Sequence, residues 1–206
     1  AWPTPSNTGT TLMRALALLL LMPAALGAQA PAPPAAMPLP TLLARYAAAS
    51  GPLDKIQNRR VAMKVTGILP EAIPVVSEAM RPNLLRKDAT VAGAVQITAT
   101  DGAKPWRIDP FASRDGKATD VPAAELADFL EETDFDGPLI GAAAKGIVVT
   151  YAGPRVVQVR GTAIPVHAVN VRWPNGRTAT VHLDARSYLE VLRMQRRPVM
   201  GRDASM

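Results

Sequence analysis

Residues 166–183 read VHAVNVRWPNGRTATVHL, and this stretch decides the class of fold. Apolar and polar residues alternate on both sides of Asn175-Gly176, which is the pattern of strands with one buried face. An Asn-Gly dipeptide tolerates positive φ and favours a tight hairpin turn. The stretch therefore predicts two antiparallel strands, Val166–Trp173 and Arg177–Leu183, with a tight turn between them.

The same reasoning extends along the chain in both directions. Helical spacing predicts one helix from Thr41, with Thr41 as its cap, to Gly51, and a second that carries Pro122 in its first turn. Because the helices are set apart from the runs of strands, the chain is expected to be α+β with an antiparallel sheet. The further predicted strands are Arg60–Leu69, Val75–Met80, Leu84–Thr90, Ala94–Thr100, Trp106–Ile108, Ile147–Tyr151, Arg155–Arg160 and Tyr188–Met194.

The N-terminal region reads as an export signal. Residues 13–30, MRALALLLLMPAALGAQA, combine one Arg, an apolar run too short to span a bilayer comfortably, and a small-x-small cleavage site. The pattern predicts a cleavable signal peptide and a periplasmic protein, and an uncleaved membrane anchor is the alternative.

The remaining segments follow from composition. Residues 1–12 do not fit a signal peptide, and we expect them to be a non-native or mis-annotated extension. Residues 31–40, PAPPAAMPLP, predict an extended tether, since Pro fixes φ and lacks an N–H. Residues 41–206 form the predicted domain. It ends in the polar tail GRDASM with no closing element, so we expect a domain truncated at its C-terminus.

Composition narrows the classes of function. The chain has 206 residues, a net charge of +6, 4% aromatic residues and no Cys. The basic residues are scattered and there is little to stack bases on, which disfavours nucleic-acid binding. The absence of Cys excludes disulfides, thiolate zinc sites, Cys nucleophiles and the acylated Cys of a lipoprotein.

No arrangement typical of catalysis or metal binding is found in the sequence. His167 and His182 are expected to be half-exposed and to face each other across the hairpin, but two His do not complete a metal site. The acidic stretch 131–137 lacks the terminal Glu of a calcium loop and is interpreted as a solvated helix end. There is no Gly-x-Ser-x-Gly elbow and no phosphate-binding Gly loop. We therefore expect no enzyme, no catalytic residue, no metal and no cofactor.

The order of segments resembles a known family. After the export signal come LLARYAAASGPLDKIQ and RRVAMKVTGIL, then DG..PWRIDPF, an amphipathic helix, DFDGPL and AKG, and finally VNVRWPNGRTATVHLDARSYLEV. Over residues 41–194 this order is similar to the outer-membrane lipoprotein-sorting proteins (LolA/LolB-like), in particular to their secreted, uncharacterised branch.

The resemblance implies a strongly curved antiparallel sheet, an unclosed half-barrel, with helices on its concave side. It implies a carrier or binder of a lipid, an acylated protein or another hydrophobic ligand, without covalent chemistry. The alternatives are that the same sheet serves an envelope sensor or interaction module, with a protein partner, and that the apolar residues pack only against one another. The candidate cavity residues are Val61, Met63, Val65, Val95, Ile97, Trp106, Ile108, Val169 and Val171 on the sheet, and Leu126, Leu130, Phe135 and Leu139 on the lid.

Overall fold

The structure is a computed structural model that describes residues 31–113, 115–199 and 202–205. The fold lies in the unit formed by residues 31–206. The predicted extension 1–12 and the predicted export signal 13–30 lie outside the described residues.

Two α-helices and eleven strands make up the described fold. The helices are α1, Leu39–Ala49, and α2, Ala123–Glu132, and single 3₁₀ turns occupy Leu53–Lys55 and Ala142–Lys145. The strands are β1 Asn58–Val65, β2 Ile73–Met80, β3 Leu84–Val91, β4 Ala94–Thr100, β5 Trp106–Ile108, β6 Thr119–Asp120, β7 Val148–Val159, β8 Thr162–Arg172, β9 Thr178–Asp184, β10 Glu190–Val199 and β11 Arg202–Ser205.

The first six strands form one antiparallel meander, sheet 1, in the order β1-β2-β3-β4-β5-β6. Neighbours in sequence are neighbours in space, so each strand pairs through a short connection. The β3–β4 turn consists of Ala92 and Gly93, both at positive φ (45° and 79°). This is the backbone of a two-residue turn whose twist matches that of the flanking strands.

The remaining strands form sheet 2, in the order β11-β10-β9-β8-β7. Two separate strands were predicted on either side of Ala152-Gly153-Pro154, but β7 runs through this segment as one strand with a bulge between Tyr151 and Gly153. Pro154 is tolerated because β7 is an edge strand, where one row of N–H groups has no ladder partner. The prediction of two strands was wrong because a Pro interrupts a central strand but not an edge.

The turn between β8 and β9 also differs from the prediction. Gly176 has φ 83°, but Asn175 is not at positive φ. Gly176 N donates to Trp173 O at 2.9 Å, and Trp173 N donates to Arg177 O at 2.9 Å. The turn is therefore centred on Pro174-Asn175, one residue earlier than predicted, because Pro is well suited to the second position of an ordinary β-turn.

Two smaller expectations, for the cap of α1 and for the C-terminal tail, were wrong. Thr41 is not the cap of α1, because the helix begins at Leu39 and Leu42 N donates to the carbonyl of Pro38. The polar tail, expected to bring no further element to the fold, contains β11, which pairs antiparallel with the end of β10.

Each helix lies against one sheet. Leu42 of α1 is fully buried against Val169, Val171, Val181 and Leu183 of sheet 2. Phe129 of α2 packs with Phe135 on Ala79 and Leu85 of sheet 1. Burying one such side chain contributes about 1.5–3 kcal/mol, so these contacts hold the helices in place.

The predicted α+β class and antiparallel pairing are thus confirmed. The strands are divided between two sheets, and neither sheet closes on itself within the described residues.

Candidate functional site

A groove of about 750 Å³ runs along α2 and is called here the α2 groove. Its volume lies in the range of small-molecule sites, about 300–1,000 Å³. The apolar part of its lining is Ala123, Leu126, Ala127 and Leu130 of α2 together with Pro82, Phe135, Ile147 and Trp173.

The α2 stripe that lines this groove does not form the core contact of the helix. We expected Ala123, Leu126, Ala127 and Leu130 to share one face, and they do line one groove. The residue that anchors α2 to sheet 1 is Phe129, which is 6% exposed, whereas Leu130 is 48% exposed. The helix therefore has two apolar sides, one packed on the sheet and one open to the groove.

The rim of the α2 groove is charged but internally paired. Arg81 binds the Asp136 carboxylate with two N–H donors. Lys145 Nζ donates to both oxygens of Asp134, at 2.6 and 2.8 Å, and to Gly137 O at 2.9 Å. Since each rim cation already has a carboxylate partner, the apolar lining is the part of the groove suited to a ligand.

The acidic stretch at the end of α2 differs from its interpretation as a solvated helix end. Glu132 pairs with Lys87 of β3, and Glu131 pairs with Arg177, which lies just before β9. Hydrogen bonds from Arg81 lower the pKa of Asp136 below its usual value, against the opposing effect of burial. The carboxylates at this helix end therefore fasten it to sheet 1, to the β2–β3 connection and to the connection just before β9.

Two acids on the body of α2 continue this ionic attachment. Glu125 pairs with Arg107 of β5, and Asp128 pairs with Arg177. Arg107 lies in sheet 1 and Arg177 lies in the connection just before β9, so α2 is bound by charge on both sides of its single buried aromatic residue.

A second cavity, of about 400 Å³, lies between sheet 1, the end of α2 and β10. We call it the inter-sheet cavity. Val61 and Met63 of β1 line it, and both are exposed (41% and 42%). Its other walls are mostly charged and include Glu190 and Arg193, which pair with each other. The cavity therefore has a small apolar strip, formed by Val61 and Met63, and mostly charged walls around it.

The pairing register divides the predicted sheet residues between two faces. Residues directly opposite each other across a ladder point to the same face. Val61 shares a row with Lys87 and Arg107, whose partners lie on α2, so Val61, Met63 and Val65 face the helix. By the same register, the opposite face carries Val95, Ile97, Trp106 and Ile108.

The other predicted residues also separate into two groups. Leu126, Leu130 and Phe135 come together in the α2 groove. Leu139, Val169 and Val171 are buried in the core beneath α1. The α2 groove also includes residues that sequence reasoning did not select: Ile147, Trp173 and the paired cations of its rim. Trp173, next to the hairpin turn, was the one available signal, because large aromatic residues beside turns often line sites.

The two histidines do not face each other. His182 is opposite Ala168, and His167 is opposite Leu183, so neighbouring register positions place the rings on opposite faces of sheet 2. Both are buried (1% and 2% exposed) and not half-exposed as expected. Burial lowers the pKa of both, and Tyr151 Oη lies 3.0 Å from His167 Nδ1. Within the described residues, no group of three or more His, Asp or Glu is placed to hold a metal.

No family model matches the chain, and a search of curated proteins found no match. Among the described residues, no helix is long and apolar enough to cross a membrane.

Proposed function

We propose that the protein is an exported carrier that holds a hydrophobic ligand, such as a lipid or the acyl chains of a lipoprotein, in the α2 groove. The observation that carries the proposal is the apolar stripe of α2, which lines a groove of about 750 Å³ and leaves Leu130 half-exposed. An apolar groove of this volume is the usual place for a bound small molecule.

The arrangement of the two helices supports a LolA-like half-barrel. In this proposal sheets 1 and 2 are the two parts of one unclosed barrel, with α1 and α2 on its inner side. Each helix packs on one sheet, and the inter-sheet cavity lies between sheet 1 and β10 of sheet 2. The signal peptide expected at residues 13–30 supports a periplasmic location for the proposed carrier.

Binding requires no covalent step. Apolar area removed from water contributes roughly 25 cal/mol per Å², so an acyl chain gains affinity from burial alone. The paired cations of the rim, Arg81 and Lys145, leave the apolar lining as the main source of that affinity.

The test is to express the full chain in a bacterial host and examine the purified protein by native mass spectrometry and lipid extraction. A lipid or acylated peptide in defined stoichiometry supports a carrier. A folded protein that is purified without ligand and does not bind a fluorescent acyl phospholipid contradicts the carrier proposal.

A matched pair of variants locates the site. Leu130→Asp places a charge in the α2 groove and should weaken binding of the fluorescent phospholipid at least tenfold. Val95→Asp is the control, because Val95 is equally exposed (46% against 48%) but lies on the face of sheet 1 away from α2. Equal binding by the two variants would place the ligand elsewhere.

A further inference from the structure

Strand β1 is a long, regular edge of sheet 1. Among the described residues it pairs only with β2, in an unbroken register from Asn58↔Met80 to Val65↔Ile73. Every residue from Asn58 to Lys64 is exposed. An edge of this kind presents a row of N–H and C=O groups in the geometry that another strand needs.

The other edges in the described fold are less suited to adding a strand. β7 carries a bulge between Tyr151 and Gly153 and has Pro154 in its middle. β6 has two residues and β11 has four. Bulges, Pro and shortness protect these three edges from pairing. β1 has none of the three and is protected only by its charged side chains, which disfavour an uncharged or cationic strand.

The charge of β1 selects the kind of partner. Its sequence, NRRVAMKV, has three cations and no acid. Arg60 and Lys64 share one face with Ala62 between them, while Val61 and Met63 point to the other face. A second copy of β1 would bring like charges together, which disfavours pairing between two copies of this chain.

Arg60 is able to exchange its present partner. It pairs with Glu78 at 3.0 Å, but the two side chains are 67% and 53% exposed. Exposed ion pairs of this kind contribute little. Arg59 is engaged differently, because its guanidinium lies over the Phe135 ring. If another strand joined β1, the cations beside it on the face of sheet 1 away from α2 would therefore be Arg60 and Lys64.

We infer that β1 is a docking edge for an extended segment of a partner protein in which acidic and apolar residues alternate. The partner strand joins the sheet by main-chain hydrogen bonds, which is a common mode of peptide recognition. Its acidic side chains lie beside Arg60 and Lys64, and its apolar side chains lie beside Val61 and Met63 at the mouth of the inter-sheet cavity. This inference does not depend on the proposed carrier function.

The test uses two blocked synthetic octapeptides, one with Glu alternating with Val and one with Lys alternating with Val. Binding to the full chain is followed by fluorescence anisotropy, and the site is located by hydrogen exchange. The expected result is binding of the Glu peptide only, with slower exchange at residues 58–65. Binding of neither peptide, equal binding of both, or protection confined to other strands overturns the inference. So does protection of β1 by concentration-dependent dimerisation without peptide.

Charge-reversal variants provide the matched control. The double change Arg60→Glu and Lys64→Glu should weaken binding of the Glu peptide about tenfold and create binding of the Lys peptide. Lys64→Glu alone avoids placing a new acid beside Glu78 and serves if the double variant is unstable. Lys104→Glu, an equally exposed cation near β6, should leave affinity unchanged. A similar loss for Lys104→Glu would assign the effect to net charge and overturn the inference.

Discussion

Arg81 Nη1 donates to Asp136 Oδ2 at 3.0 Å, and Nη2 donates to the other oxygen of the same carboxylate. The same guanidinium donates to the carbonyls of Leu53 and Ile56 and lies 4.5 Å from the centre of the Phe135 ring. One side chain in the β2–β3 connection thus holds both the segment before β1 and the loop after α2.

Replacing Arg81 by Leu should lower the urea midpoint of unfolding. The change leaves the partly buried Asp136 carboxylate without its two-point partner and removes two bonds to main-chain carbonyls. Arg60→Leu is the control, since it breaks only the exposed pair with Glu78. Equal midpoints for the two variants would show that the Arg81 contacts add nothing beyond a surface pair.

The ion pair between Arg81 and Asp136 should also make the free energy of unfolding depend on pH in the acidic range. Because hydrogen bonds from Arg81 lower the folded-state pKa of Asp136, its contribution is complete above the unfolded value near 3.8 and is lost as pH falls through the folded-state pKa. The difference in unfolding free energy between the parent and Asp136→Asn should therefore shrink below about pH 4. Denaturant titrations over a pH series measure it, and a constant difference contradicts the expectation.

The buried histidines predict a second pH dependence at higher pH. Burial lowers the folded-state pKa of His167 and His182 below the usual 6.5, so the unfolded chain binds more protons in the window between the two values. Above pH 6.5 the two histidines are neutral in both states and do not lower the free energy of unfolding. As the pH drops from 6.5 toward the folded-state pKa values, the unfolded chain takes up more protons and stability falls. His182→Gln should reduce the slope of unfolding free energy against pH as the pH falls below about 6.5. An unchanged slope would mean that His182 does not titrate differently on unfolding.

Much of the strand pattern could be predicted from the sequence because the alternation of apolar and polar residues involves only residues close together in the chain. The alternation of Val95 and Ile97 with polar residues fixes a strand whichever sheet it joins. The face to which it points is not local, since a shift of one residue in register exchanges the two faces. The predicted cavity set therefore mixed residues from both faces of sheet 1.

The attachment of α2 was beyond sequence reasoning for the same reason. Lys87 and Glu132 are 45 residues apart, and Arg81 and Asp136 are 55 apart. A run of acids near a helix end usually indicates a solvated end, and only the fold brings Arg81, Lys87 and Arg177 to meet it. The α2 groove was partly predictable, through Leu126 and Leu130, because helical periodicity is local.

Leu42 should be the most sensitive position of α1. It is fully buried among the apolar residues of sheet 2, and truncating a buried Leu to Ala costs about 2–5 kcal/mol. Leu43→Ala provides the comparison, because Leu43 is only partly buried against the same cluster. Unfolding free energies from urea titration should differ clearly between the two variants, and similar losses would show that α1 is not anchored through Leu42.

The two helices should respond differently to salt. α2 is held on sheet 1 by Phe129 and is attached in addition by ion pairs from Glu125, Asp128 and Glu132, whereas α1 is held mainly by the buried Leu42. The screening length falls from about 8 Å at physiological ionic strength to about 3 Å at 1 M, while apolar packing is not weakened. Raising NaCl to 1 M should therefore accelerate hydrogen exchange in α2 and leave α1 unchanged. If both helices respond alike, the ion pairs do not govern α2. If α2 alone loosens, the α2 groove opens by release of charge contacts, and the fluorescent acyl phospholipid should enter faster at high salt.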